Sequence, residues 1–338
     1  MNPTLVTNYM RLLLLTLFSL SCFFSVAQDF YPPVVNYSTH DYGKDKNPEI
    51  YQVVQDKQGV MYFATGSGVL IFDGLKWRFI NVGHGSFVRA LNVDHRGVVY
   101  AGTYNEFGFF YPDSTGELQY NSLKDRLPEE DQFFSDIEFI HSNEKSVFFQ
   151  AQESVFEYGL EEDELWTLYP DNTYHTSFMV DGTLYLRERE VGVVKYENDE
   201  LKVLDGFDEF KLYGIFGMYK LRDDSLLIIT QELGLYKWKN GEKRLLPDPN
   251  EVPLIERGIF GSVMLSDGNI ALSTRTEGAI IISPEGKVVG KLDRSNGLRS
   301  NYILGMFQSR DQNLWLGMVN GVAKVNYHSP LMFYGDNK

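Results

Sequence analysis

LRSNYILGMFQSRDQNLWLGMVNGVAKVNY, residues 298–327, holds one complete folding unit. An apolar strand is followed by the polar turn Ser309–Asn313, a second strand with Trp315, a turn at Gly321 and a third strand. Period-two alternation broken by Gly, Asn and Asp at short spacing marks antiparallel hairpins. None of these strands can bury itself alone, so the unit needs neighbours of its own kind.

Those neighbours are in the chain. The first full repeat reads IYQVVQ, the turn Asp56-Lys57-Gln58-Gly59, VMYFAT, the turn Gly66-Ser67-Gly68, VLIFDG and WRFI. The second reads VRALNV, Asp94-His95-Arg96-Gly97, VVYAGT and, after Gly108, FFYPD. The third is the most degenerate, with SVFFQAQ, then Ser154 where the others carry Gly, then VFEYG. Asp181-Gly182, TLYLR and Gly192 mark the fourth, LLIIT and Gly234 the fifth, NIALSTRTE and Gly278 the sixth. Residues read as opening the third strands are Gly68, Gly108, Ser154, Gly192, Gly234, Gly278 and Gly321, at spacings of 38 to 46 residues.

A four-stranded unit of that length is a propeller blade, and seven make a full ring. The fold class expected is therefore all-β, a seven-bladed β-propeller of four-stranded antiparallel blades over residues 28–338. Its repeats lie near 48–82, 86–120, 133–168, 173–204, 210–246, 254–292 and 298–328. A strand within 29–40 (Tyr31–Thr39) is preferred as the outer strand that closes the seventh blade, with the tail Pro330–Tyr334 as the alternative. Gly at the tight turns supplies positive φ without steric cost. Ala90, Gly217, Gly261 and Gly305 fit innermost strands crowding a central channel. Tyr62, Tyr100 and Trp315 read as packing between blades.

The composition agrees with a large β-rich core: 338 residues, 43% hydrophobic and 14% aromatic. Residues 1–27 read as a signal peptide, with Arg11, the apolar run Leu12–Phe24 and small residues before a cleavage site near Ala27-Gln28. An uncleaved anchor is the rival reading. Cleavage would remove the one cysteine, Cys22, and with it any disulfide or thiol chemistry. It also removes one of 31 basic residues set against 46 acidic ones, making a chain of net −15 one unit more negative. Such a surface repels nucleic acid and anionic lipid. No later apolar run reaches membrane length, so no span is expected in the mature chain.

Ligands of a propeller meet the channel mouth built from loops that lead into innermost strands and loops that join second to third strands. These contain Arg89, Tyr104, Asn105, Glu106, Gln152, Glu153, Arg187, Arg189, Gln231, Glu232, Arg257, Arg275, Glu277, Asn301, Tyr302 and Asn320. The ligand-binding candidates among them are Arg89, Asn105, Glu106, Glu153, Arg187, Arg189, Glu232, Arg257, Arg275, Glu277, Asn301 and Tyr302. Carboxylates, amides, guanidinium forks and phenols suit a glycan fragment. Arg189, Arg257 and Arg275 could hold a sugar carboxylate. Glu106, Glu153, Glu232 and Glu277 could supply an acid–base pair for a glycosidase or lyase, though no catalytic residue stands out. The six histidines are scattered without ligand spacing, so neither metal nor cofactor is expected.

Units such as NPEIYQVVQDKQGVMYFATGSGVLIFDG resemble the two-component regulator propeller repeat: apolar strand, acidic turn with Gly, an aromatic before a strand ending in Thr, then a Gly turn. Repeats one, two, five and seven carry the pattern well; in the seventh, Ser309 takes the acidic place and Gln312 the Gly place. The resemblance implies the first propeller of a periplasmic sensor that detects polysaccharide fragments and passes the signal to an output domain or partner sensor subunit. It implies no ligand residues, because its motif is structural. The Ser329-Pro330 tail resembles the start of a second propeller in such proteins. A propeller acting only as a structural or protein-interaction scaffold is the alternative.

Overall fold

The computed structural model describes residues 30–83, 85, 87–250, 252–329 and 333–334. The signal peptide reading, its cleavage site and Cys22 lie outside those residues. The chain divides into two compact units. In one, made of the two chain ends, Phe30 pairs with Tyr334 and Tyr31 with Phe333 in a two-stranded antiparallel ladder. The other, Val34–His328, holds the propeller.

Seven four-stranded antiparallel sheets follow one another. The first is Ile50–Gln55, Met61–Thr65, Gly68–Phe72 and Trp77–Ile80. Innermost strands of the remaining six are Val88–Val93, Phe139–Ser142, Tyr174–Val180, Ile215–Lys220, Ile259–Met264 and Ile303–Gln308. Each innermost strand touches the next, and the seventh touches the first, which closes the ring. The outer strand of the seventh sheet is Val34–Tyr37, paired with Gly321–Val325 in the register Tyr37 to Val322. Seven buried apolar clusters fill the spaces between neighbouring blades. That is what strands apolar on both faces require.

Close approach explains the small residues. A Cβ on Gly305 would lie 2.4 Å from the carbonyl oxygen of Tyr51 on the next innermost strand. At Gly278, where φ is +84°, it would lie 2.0 Å from the Leu292 carbonyl oxygen of the outer strand. Gly108 does not open a third strand: that strand is Glu106–Pro112, and Asn105 at φ 51° makes the turn. Gly108 is fixed instead by the Asn121 carbonyl oxygen, 2.0 Å from its would-be Cβ.

The acidic turns and the recurring aromatics are one device. Asp94 Oδ1 accepts the backbone N–H groups of Arg96, Gly97 and Val98, each at 2.9 Å. Asp94 Oδ2 accepts the Tyr100 hydroxyl at 3.1 Å and Arg96 Nε at 2.8 Å. Asp56 and Tyr62 repeat the arrangement in blade one. In blade seven Trp315 Nε1 donates to Ser309 Oγ at 3.2 Å, and Gln312 takes a positive φ, 62°, where Gly59 and Gly97 have 94° and 96°. The turn is kept while both side chains change.

His141 lies on the third innermost strand, with Nε2 3.0 Å from Ser177 Oγ on the fourth. Burial holds its pKa down to about 4. The unfolded ring titrates near 6.5, so between those values protons bind the unfolded chain first. Stability from this group is full above pH 6.5 and is lost as pH falls toward 4. After allowing for partial exposure it is on the order of 2 kcal/mol. Urea unfolding at pH 7 and pH 4.5 should show His141→Gln losing less stability than the wild type; an equal loss would dismiss the role.

Candidate functional site

Second-to-third-strand turns and the lead-ins to innermost strands share one mouth of the channel. In six blades the innermost strand is bulged next to its first residue, at Tyr51, Arg89, His175, Phe216, Phe260 and Leu304. A bulge re-aims a side chain out of the ladder. The result is a set of rings at this end that strict alternation does not foresee. Tyr51 and Phe87 lie 4.2 Å apart by centroid, and Arg89 sits 5.1 Å over Phe87. Phe260 and Tyr302 meet edge-to-face at 5.8 Å, with Arg275 5.9 Å over Phe260. His175 and Phe216 do the same at 5.8 Å.

Many of the residues picked from sequence hold the loops together. Arg257 pairs with Glu277 at 2.8 Å, and Lys291 approaches the same carboxylate at 3.5 Å. Asn301 accepts Arg294 N–H at 2.8 Å and donates to Thr276 O at 2.9 Å. Glu153 accepts both the Ser135 hydroxyl, at 2.7 Å, and the Ser135 N–H. Asn105 Oδ1 accepts Phe134 N–H at 3.1 Å, Gln152 donates to Glu138 at 3.1 Å, and Asn320 donates to Arg299 O at 3.2 Å. Arg89 meets Asp136 at 3.4 Å. Arg187 is buried against two carbonyls. Among the described residues the side chains of Arg189, Gln231, Glu232, Arg275 and Tyr302 make no hydrogen bond or ion pair.

A cleft of about 780 Å³ on this side runs between the outer parts of blades one and two. Tyr104, Asn105 and Glu106 line it, with Asn81, Gln119, Lys124 and Asp125 among their neighbours. Tyr104 is 64% exposed, so its ring is an open flat face. Glu106 Oε1 accepts the Tyr120 hydroxyl at 3.0 Å and the Ser122 hydroxyl at 2.8 Å. Burial, then the charge of Glu106, pushes the Tyr120 hydroxyl well above its ordinary range. It stays a donor, which fixes the carboxylate and leaves Glu106 Oε2 without a partner among the described residues. Amides, three carboxylates, a cation and the exposed Tyr104 ring around an open cleft offer both donors and acceptors. Phe79, Ile80 and Leu118 also line it. That set suits a polyol rather than an apolar ligand.

A second cleft, about 650 Å³, lies between blades three and four, beside Trp166, Glu157 and Tyr196. Glu157 there is held by Ser146 and Tyr196 hydroxyls, both at 2.6 Å. No group of three or more His, Cys, Asp or Glu that could hold a metal occurs among the described residues. No helix among them is long and apolar enough to cross a membrane.

No protein-family model matches this chain, and no curated protein matches it. Its likeness to solved structures is one of fold. The extracellular domain of the hybrid two component system BT3049 from B. thetaiotaomicron superposes with a TM-score of 0.66 at 18% identity. That match covers 87% of this chain and 42% of the other. The extracellular domain of the one component system BT4673 from the same organism gives 0.69 at 16%, covering 88% and 41%. A streptogramin B lyase gives 0.63 at 13%, covering 88% and 97%. The chain thus spans about two fifths of the length of these two extracellular domains.

Proposed function

We propose that this chain is the ligand-binding propeller of an exported bacterial signal sensor of the two-component regulator propeller type. Its ligand is an oligosaccharide fragment, taken in the cleft between blades one and two. The observation that carries this reading is the lining of that cleft: the exposed ring of Tyr104 beside the hydroxyl-braced carboxylate of Glu106. An aromatic face stacks on the C–H side of a sugar while amides and carboxylates take its hydroxyls. The likeness to extracellular domains of bacterial signalling systems supports the same class. A leader cleaved near Ala27-Gln28 would place the propeller in the periplasm or outside the cell, where a separate or further domain reads the signal. Such a signal requires unequal affinity for two states of the receptor.

Isothermal titration of the propeller with neutral and acidic oligosaccharides, each mixture checked for cleavage, tests the reading. Tyr104→Ala and Asp125→Ala are expected to weaken binding at least tenfold with thermal stability unchanged, because both side chains face the cleft from its rim. Equal affinity in both variants would remove this cleft. Cleavage products would replace the sensor with an enzyme, and an absence of binding across the panel would favour a scaffold.

A further inference from the structure

The mouth-facing ends of blades four and five hold a charge that the protein does not balance. Arg187 is 4% exposed. Its Nε donates to Phe210 O and its Nη2 to Lys211 O, both at 2.8 Å. Nη1 has no acceptor and no carboxylate lies within ion-pair distance, among the described residues. Arg189, two positions on in the turn that follows and in electrostatic range of Arg187, makes no side-chain hydrogen bond or ion pair among the described residues. Glu232 is the one acid in electrostatic range of Arg187, and Arg189 is in range as well. A buried guanidinium without a carboxylate partner is costly even when carbonyls take part of its hydrogen bonds. A fold tolerates that where something else brings the opposite charge.

Next to these arginines stands His175, displaced from its ladder by the bulge, its Nδ1 buried without a partner. Burial, then the charges of Arg187 and Arg189, hold its pKa down to about 4, so the ring is neutral at neutral pH and can donate one hydrogen bond. Phe216 walls the ring edge-to-face. Gly214 leaves them room: a Cβ there would lie 2.8 Å from Phe216 Cε2 and 3.1 Å from His175 Cε1.

We infer that Arg187, Arg189 and His175 form a second site, separate from the cleft of blades one and two, for the carboxylate of an acidic monosaccharide or a uronate end of a longer glycan. The planar forks match a carboxylate in two parallel hydrogen bonds. His175 and Phe216 stand edge-to-face, so one of the two rings can present its face to the C–H side of such a sugar. Of the two other arginines expected to take a carboxylate, Arg257 is already paired with Glu277 and Arg275 lies over the Phe260 ring, whereas Arg189 stands in range of a second guanidinium.

The test is a thermal-shift and titration series at constant ionic strength with glucuronate, glucose, acetate and sulfate as probes. Glucuronate should raise the melting temperature saturably, while glucose at equal concentration should not. Arg189→Ala removes an exposed side chain without touching the carbonyls that Arg187 holds, and it should cost at least tenfold in glucuronate affinity. His175→Ala should weaken binding too, and the His175 ring signals in NMR should move on titration. Tyr104→Ala should leave glucuronate binding intact, which separates this site from the cleft. An absence of saturation, or full affinity in Arg189→Ala, would overturn the site. Acetate or sulfate binding as tightly as glucuronate would overturn the sugar as its ligand.

Discussion

A chain lacking Val34–Tyr37 is expected to lose about 5 kcal/mol or more of unfolding free energy and to associate through an exposed strand edge. These four residues are the outer strand of the seventh sheet, yet they come from the start of the chain. They join the two ends of the ring, and among the described residues no other strand of the seven four-stranded sheets comes from the opposite end of the chain. Their removal bares the edge of Gly321–Val325, whose residues are all buried apart from Lys324. It also removes Tyr37 from an aromatic group at the seam: 5.4 Å from Phe72, 5.4 Å from Trp77 and 6.0 Å from Trp315 by centroid. Burying one such ring is worth roughly 2–3 kcal/mol, and each aromatic pair adds about 0.5–1.5 kcal/mol. Tyr37→Ala, which keeps the ladder, should therefore cost about 2–4 kcal/mol. Urea unfolding and size-exclusion chromatography read both changes. Wild-type stability in the deletion would mean that the ring is not held shut by this strand.

The ring was legible because its signals are local. An acidic turn, a Tyr or Trp six residues later and a glycine before the next strand repeat in the sequence. The structure shows why they travel together: Asp94 and Tyr100 are hydrogen-bonded to each other. Where the letters change, the pattern fades though the geometry stays. Asn143 Oδ1 accepts the N–H groups of Lys145 and Ser146, each at 2.8 Å, so the degenerate third blade makes its turn with an amide. Asn105 likewise replaces a glycine at positive φ, which is why Gly108 looked like the turn. The mouth was harder to read. Bulges break the alternation from which side-chain orientation is read, so nothing in the sequence marks Tyr51, His175, Phe216 and Phe260 as mouth residues. Arg257 and Glu277, twenty residues apart, gave no sign that they pair. Sequence placed the loops on one face, while pairing inside that face depends on distances between blades.

Asp94→Ala is expected to destabilise the propeller by about 3–5 kcal/mol, more than any single change at the mouth. The carboxylate is 3% exposed and serves five donors. Its loss strands three turn N–H groups, leaves the Tyr100 hydroxyl without its acceptor inside the interface of blades two and three, and releases Arg96. Arg96 also reaches Leu160 O of blade three at 3.3 Å, so the turn is part of the contact between blades. Asp94→Asn separates the two halves of the device. Its oxygen can still accept the three N–H groups, but an amide NH₂ would face the Arg96 guanidinium. It should cost about 1–2 kcal/mol, less than alanine. Tyr100→Phe, which deletes one hydroxyl, should cost about 1 kcal/mol alone and much less in an Asp94→Ala background, because the partner is already gone. A double-mutant cycle by urea unfolding measures that coupling. Strict additivity would mean that the tyrosine is only packing material, and that its recurrence six residues after the turn acid has some other cause. Strong coupling would make the acid–aromatic pair the unit that the repeat preserves, with Ser309 and Trp315 as its second chemical solution.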